Sequence, residues 1–143
     1  MPPEPSDIDT ALRDKLVADA TLRAVMPDGV FWNVAASGAK RFVILAVIDS
    51  IVEHDALGAV AHVDTLYQVE ARGLSTTDPD MRGAIVRINE LLDTPAATLT
   101  VAGFELIALR QEAPTRGPEE LDDVDPKVRW YRRGGHYRVV MTT

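Results

Sequence analysis

The sequence contains no cysteine, and this excludes disulfide bonds, cysteine nucleophiles and thiolate metal ligands. The same absence fits a reducing cytoplasm. Long apolar runs are also missing: the longest covers residues 42–48, whereas a transmembrane helix needs about 20 residues. The first residues show no basic start followed by an apolar stretch, so no signal peptide is predicted. We therefore expect no membrane association.

Basic residues are fewer than acidic ones, 15 against 22, and the net charge is −7. An acidic chain is a poor general binder of nucleic acid because duplex phosphates repel it. The bases are unevenly distributed, since residues 127–143 carry five of them and no acid. Two interpretations stay open: opposite charge poles that favour docking between subunits, or a basic segment that pairs with the acidic body of its own chain. The five bases are Lys127, Arg129, Arg132, Arg133 and Arg138.

Motifs for catalysis or cofactor binding are absent. The serines lack a Gly-x-Ser-x-Gly elbow, no glycine-rich loop opens a helix, and the acidic stretch 119–125 lacks the spacing of a calcium loop. We therefore predict no enzyme, cofactor or metal. One alternative is a small metal-dependent hydrolase that uses His54, His62 and Asp64 across a hairpin. Another is a single-stranded nucleic-acid binder that uses the C-terminal arginines and aromatic residues.

Residues 61–93 show the clearest secondary-structure pattern in the sequence: a strand followed by a turn and an amphipathic helix. Strand alternation predicts one covered face and one solvated face. Thr77 or Asp78 is the expected N-cap, with Pro79 at the first helical position. The covered strand face comprises Val63, Thr65, Tyr67, Val69 and Ala71, and the solvated face comprises His62, Asp64, Leu66, Gln68, Glu70 and Arg72. The helix should bury Met81, Ala84, Ile85, Ile88, Leu91 and Leu92.

The rest of the chain follows from the same periodicities. We predict a first helix from Ser6 or Asp7 to Val25, a strand over 30–35, and a strand over 41–53 that pairs with the unit above in a long hairpin with Gly58 near its tip. Further strands are expected over 98–101 and 104–111, joined at Ala102-Gly103, then an acidic loop over 112–126. Strands over 128–131 and 136–142 complete the sheet, or else 127–141 is one strand with a glycine bulge.

This order predicts an α+β fold: a mostly antiparallel sheet with two helices packed on one face and a long protruding β-hairpin. A chain of 143 residues suits a single domain. We take 1–143 as that domain, with residues 1–6 flexible because three prolines stand among the first five residues.

The order of features resembles the tail-terminator family, also called tail-completion or minor tail proteins, of long-tailed phages, prophages and gene transfer agents. The opening helix and the strand after it, DIDTALRDKLVADATLRAVMPDGVFWNVA, match a family pattern of apolar positions, as does the strand RFVILAVIDS, although Arg41 replaces the usual proline. The strand-turn-helix HVDTLYQVEARGLSTTDPDMRGAIVRINELLD and the closing strand VRWYRRGGHYRVVMTT are similar too. The acidic loop has no counterpart in the family.

The resemblance implies a structural virion protein at the tail–neck junction, assembled in the cytoplasm of a bacterial host. Family members form a ring, usually a hexamer, that caps the head-proximal end of the tail tube, stops polymerisation and meets the neck. The implied partners are copies of this chain, the major tail tube protein and a neck or head-closure protein, with DNA passing through unbound. The alternative within the same class is a head-closure or stopper ring.

Residues on the hairpin, the solvated strand face and the basic segment are the expected subunit or tube interface. They are Glu53, His54, Leu57, His62, Asp64, Gln68, Glu70, Arg132 and Arg133. Two substitutions distinguish the expected core residues from the expected interface residues. Ile85→Asp should unfold the subunit, whereas Glu70→Arg should leave it folded and disturb assembly.

Overall fold

The computed structural model describes residues 2–75, 79–93, 97–116, 120–121 and 127–143. The helices and strands follow the predicted order for most of the chain. The helices are α1 (Pro5–Ala18), α2 (Ala20–Val25) and α3 (Pro79–Leu92). The strands are β1 (Val30–Trp32), β2 (Arg41–His54), β3 (Val60–Ser75), β4 (Glu105–Arg116), β5 (Glu120–Leu121) and β6 (Arg129–Thr142).

The described strands form one sheet in the order β1-β2-β3-β6-β4, with the short β5 beside one end of β6. Every pairing is antiparallel except that between β1 and β2. The fold is therefore α+β with a mostly antiparallel sheet, as predicted. The long β2–β3 hairpin is confirmed as well, and its register runs from Arg41 opposite Gly73 to His54 opposite Val60.

The helices share one face of the sheet, which we call the helix face. Apolar side chains at helical spacing meet the alternate residues of β3 and β6, and removing this area from water is the main stabilising contribution. Hydrogen bonds also join the helices to this face of the sheet: the Tyr67 hydroxyl donates to Asp9, and the Tyr137 hydroxyl donates to Asn89. The buried helix residues include Ile8, Leu12, Leu16, Leu22, Met81, Ala84, Ile88 and Leu92, and the sheet contributes Val43, Leu45, Val63, Tyr67, Val69, Ala71, Tyr137, Val139 and Met141.

The predicted first helix is in fact two, so the described residues form three helices instead of two. The chain breaks at Asp19, whose extended backbone ends α1 and whose carboxylate caps α2 by accepting from the Leu22 amide at 2.8 Å. The beginning also differs, because Pro5 is already helical and Glu4 is the N-cap. Glu4 and Asp7 form a reciprocal capping box, so Glu4 holds the N-cap position expected for Ser6 or Asp7, and Asp7 supports it from the N3 position.

Two predictions after α3 are wrong. Residues 98–101 are not a strand, so the turn at Ala102-Gly103 does not join a hairpin. Residues 112–116, predicted as loop, extend β4 because each can pair along β6 except at a bulge near Glu112. The remainder of the acidic loop lies outside the described residues apart from β5, and so do the proposed caps Thr77 and Asp78.

The glycines at 134 and 135 form neither a turn nor a bulge, since β6 is one strand with unbroken register against β3. Gly134 lies opposite Glu70, and a Cβ built on it would be 2.2 Å from the Val69 carbonyl oxygen. Glycine is therefore required here because the β3 backbone approaches too closely for any side chain.

Candidate assembly surfaces

The hairpin ends in a tightly held turn. The Asp55 carboxylate accepts from the amides of Leu57 at 2.8 Å and Ala59 at 3.0 Å, and Gly58 adopts a φ of 86°. This is an Asx-type turn with glycine in the left-handed region. It presents Leu57, whose side chain is 94% exposed, at the extremity of the hairpin.

One margin of the sheet is open along half of β2. The short β1 pairs only with Val43 to Leu45, so residues 46–54 have β3 on one side and no other described strand on the other. This margin carries apolar side chains that are about half exposed: Val47, Ile48 and Ile51. An unpaired edge with exposed aliphatic groups is a template for pairing with another chain. At the opposite margin β4 pairs only with β6 among the described strands, and there Ile107 is 58% exposed.

The sheet face opposite the helices, which we call the outer face, holds most of the predicted interface residues. His62 lies opposite Glu53, and Asp64, Gln68, Glu70 and Arg132 follow along β3 and β6. His54 and Leu57 lie at the hairpin end. Arg133 is different because strand alternation places it opposite Ala71, on the helix-face side.

Glu70 corrects the sequence analysis, because it is 1% exposed instead of solvated. Its carboxylate accepts from Arg72 Nε at 2.8 Å and from Gln68 Nε2 at 3.1 Å, and Arg132 Nε lies 3.5 Å away. A buried carboxylate needs such partners, since an unpaired charge away from water is costly. Glu70 therefore acts as an anchor for two arginines that reach over the outer face.

A second ion-pair group lies further along the outer face. Arg138 binds Asp64 at 2.5 Å and Glu112 at 2.7 Å, and so joins β3, β6 and β4. The hydrogen bond from Arg138 holds the pKa of Glu112 below its usual value, and the two carboxylates raise the pKa of Arg138. Ion pairs this exposed contribute little stability individually, but they fix the charge pattern of the surface.

These contacts bear on the two interpretations of the basic segment. Arg132 and Arg138 both pair with acidic groups of their own chain. For these two residues the intramolecular interpretation is correct. The charge left for docking on this part of the outer face is therefore smaller than the sequence suggests.

The metal alternative finds no geometric support. The register places His62 opposite Glu53 and His54 opposite Val60, so the two histidines do not face each other. Asp64 is held by Arg138. Across the described ranges, no cluster of three or more acidic or histidine side chains is arranged to hold a metal ion. Within the same ranges, no helix is long and apolar enough to cross a membrane.

A small apolar depression lies between the end of α1, α2 and the start of β1, and we call it the α1–α2 pocket. Its volume is about 70 Å³. Buried Leu16, Leu22 and Met26 form its floor, while Val17 and Arg23 are among the more exposed residues that border it. Sequence reasoning missed this pocket because it exists only where the helix breaks at Asp19. An aspartate within a helical pattern was the available signal, since this residue favours caps over helix interiors.

Comparisons with protein-family models and with curated proteins find no match. Solved structures do match. A chain from the virion of a native gene transfer agent particle aligns with a TM-score of 0.72 at 18% identity, covering 95% of both chains. A second structure, whose name describes no function, aligns with a TM-score of 0.59 at 15% identity, again over 95% of both chains. At these identities the likeness establishes the fold alone: this chain has the fold of a chain in a gene transfer agent virion.

Proposed function

We propose that this chain is a non-enzymatic structural component of a phage-like virion, a tail terminator. Copies of it assemble into a ring, a hexamer by the family resemblance, at the head-proximal end of the tail tube. The ring stops tube polymerisation and meets the neck or head-closure protein. The genome passes through the ring without specific binding.

The observation that carries the proposal is the match to the gene transfer agent chain, because it spans 95% of both chains with a TM-score of 0.72. A match of this extent takes in nearly the whole length of both chains. The sequence resemblance to tail terminators reaches the same class of particle from apolar patterns in the chain. The structural match and the sequence resemblance are different kinds of support, since the first compares backbones and the second compares residues.

The surfaces suit a ring. The β2 margin and the β4 margin are different surfaces at opposite sides of one sheet, so contact between them is heterologous and closes into a ring when the rotation permits. Exposed aliphatic side chains at both margins supply apolar area for such a contact. The net charge of −7 would also keep transiting DNA from adhering to the ring.

Tube growth in vitro tests the proposal. The major tail tube protein of the same particle is polymerised alone and with this chain, and tube lengths are measured by negative-stain electron microscopy. Wild-type protein should cap one end and shorten the length distribution as its concentration rises. Val86→Lys is the matched control, because Val86 is 55% exposed and lies on α3, not on either margin strand; this variant should cap normally.

Light scattering and electron microscopy then determine the assembly state of the capping species. A ring seen at the tube end supports a terminator. A chain that remains monomeric beside growing tubes, and leaves their lengths unchanged, contradicts the proposal. Binding only to the portal-side neck components identifies a stopper instead and also contradicts it.

A further inference from the structure

Leu57 is positioned as a projecting apolar contact. It is 94% exposed, more than any other large apolar residue in the described chain. The Asp55 carboxylate fixes the backbone on either side of it, so little conformational entropy remains to be lost when the side chain is buried. A rigid turn that exposes one leucine is typical of an interaction site and adds nothing to the core of its own subunit.

The α1–α2 pocket has the chemistry to receive such a group. Its floor of Leu16, Leu22 and Met26 is apolar and its volume of about 70 Å³ suits the end of one branched aliphatic side chain. Val17, at 38% exposed, extends the apolar surface outward from the floor. Filling this space removes apolar area from water on both partners.

The charges around the two surfaces are complementary. The hairpin turn carries exposed acids at Glu53 and Asp55, whereas exposed Arg23 borders the pocket. Arg13 lies nearby, donating to the Val30 carbonyl at 3.2 Å. Asp28, the first acid beyond Pro27, keeps its charge while it accepts the amides of Lys40 and Arg41, so this border carries two arginines against one acid. Opposite charges around an apolar contact favour one docking orientation.

The two surfaces cannot meet within one subunit. The pocket residue Val30 pairs with Val43, near the start of β2, while the hairpin turn follows His54. Eleven residues of extended strand separate these levels by about 35 Å. Any contact between Leu57 and the pocket is therefore made between two chains.

We propose that Leu57 of one copy inserts into the α1–α2 pocket of a second copy of this chain. The occupant is a second copy because a single chain carries both complementary surfaces, which makes the contact heterologous and repeatable around a ring. This inference rests on the proposed ring and assigns its contact residues.

Disulfide trapping tests the contact directly, because the cysteine-free chain gives a clean background. The double variant Leu57→Cys/Val17→Cys is assembled under the conditions in which wild type forms a ring, then oxidised. Linked multimers should run as a ladder on a non-reducing gel and collapse to monomer on reduction. The matched control Leu57→Cys/Val86→Cys places the second thiol on exposed α3 and should give no ladder.

Complementation tests the direction of the contact. Leu57→Asp retains the pocket, and Val17→Asp retains the leucine. Each variant alone should associate about 10- to 100-fold more weakly than wild type, as expected for the loss of one buried leucine. A 1:1 mixture should recover a single intact contact and yield dimers without larger rings, which analytical ultracentrifugation can resolve. Circular dichroism melting checks that both variants remain folded.

The outcomes separate this inference from the proposed function. If wild type forms rings while the cysteine pair yields no ladder and Leu57→Asp assembles normally, the contact is wrong and the ring stands. If Leu57→Asp forms normal rings that no longer cap tubes, the occupant is the tube protein and the inference is wrong. If wild type forms no ring at all, the proposed function and this inference both fail.

Discussion

The most informative single residue is Glu70, because it reverses an expectation based on strand alternation. Alternation correctly assigned it to the outer face but implied solvent, and the structure buries it under Gln68, Arg72 and Arg132. Period-two patterning identifies the face and cannot reveal side chains that fold over it from a strand 62 residues later. Strand alternation alone therefore did not predict a buried carboxylate, although two of its partners, Gln68 and Arg72, lie on the same strand.

Glu70→Arg should consequently destabilise the subunit instead of leaving it intact. The substitution places a third cation between Arg72 and Arg132 in a buried position, and we expect a loss of about 3 kcal/mol or more in the free energy of unfolding. Urea denaturation measures it. Glu53→Arg, on the exposed end of the same face, is the control and should change stability by less than about 0.5 kcal/mol. Equal effects of the two substitutions would contradict the buried assignment.

Asp19 is a second residue whose role depends on tertiary context. It caps α2 and also accepts two hydrogen bonds from Arg87 on α3, at 2.9 and 2.6 Å. These bonds, led by those from Arg87, lower the pKa of Asp19 below its usual value, although partial burial opposes the shift. A carboxyl with a depressed pKa in the folded state stabilises the protein above the unfolded pKa, and this contribution is lost as pH falls through the folded pKa.

Asp19→Asn isolates that contribution, since asparagine also caps a helix but carries no charge. Near neutral pH the variant should be less stable by about 1 kcal/mol, a value reduced because Arg87 is partly exposed. The difference in free energy of unfolding between the variant and wild type should decrease as pH falls below about 4. Thermal melts of both proteins between pH 2 and pH 7 provide the measurement, and a pH-independent difference would rule out the ion pair as the cause.

At the scale of helices and strands, elements whose pattern lies within one stretch of sequence were predictable. Features that depend on pairing with residues far away in the sequence were not. The β2–β3 hairpin and α3 followed from alternation, turn residues and helical spacing. Within α3 the pattern overestimated burial: Ile88 is buried, but Ile85 is only partly so, which makes Ile85→Asp a milder test than expected. The extension of β4 through 112–116 was missed because its pairing partner β6 is far away in sequence.

The two glycines at 83 and 134 should respond in opposite ways to alanine. Gly134→Ala would drive a Cβ against the β3 backbone and should cost at least about 2 kcal/mol. Gly83 lies in α3, where a Cβ meets no described atom within 4 Å, so Gly83→Ala should stabilise by up to about 1 kcal/mol. Chemical denaturation of the two variants and wild type measures the changes in the free energy of unfolding. Changes of the same sign in both variants would contradict the prediction.

At the scale of the whole molecule, exposed aliphatic side chains lie along two sheet margins, a feature that the sequence analysis did not locate. Composition and periodicity established the fold class, but they could not show that β1 covers only the first part of β2. That depends on where the chain turns away after Trp32, at Asn33 with a φ of 61°. The interface assignments for His54, His62, Gln68 and the remaining predicted residues stay predictions.

Ile51→Lys tests the open β2 margin. Ile51 is 53% exposed, so the substitution should alter the stability of the subunit by less than about 0.5 kcal/mol. A charge on an edge strand opposes pairing with another chain, and ring formation should weaken by about tenfold. Sedimentation velocity at several concentrations measures this, with Val86→Lys as control; unchanged association would show that the margin is not used.

The position of β6 has a consequence for how the protein reaches its native state. β6 follows all the other described strands, yet it lies between β3 and β4 and pairs with both along most of its length. During synthesis, β3 and β4 must therefore wait with unpaired edges until β6 leaves the ribosome. Pairing at such sequence separations implies slow folding and a vulnerable nascent chain. The nascent chain should therefore depend on chaperones more than the finished, folded subunit does.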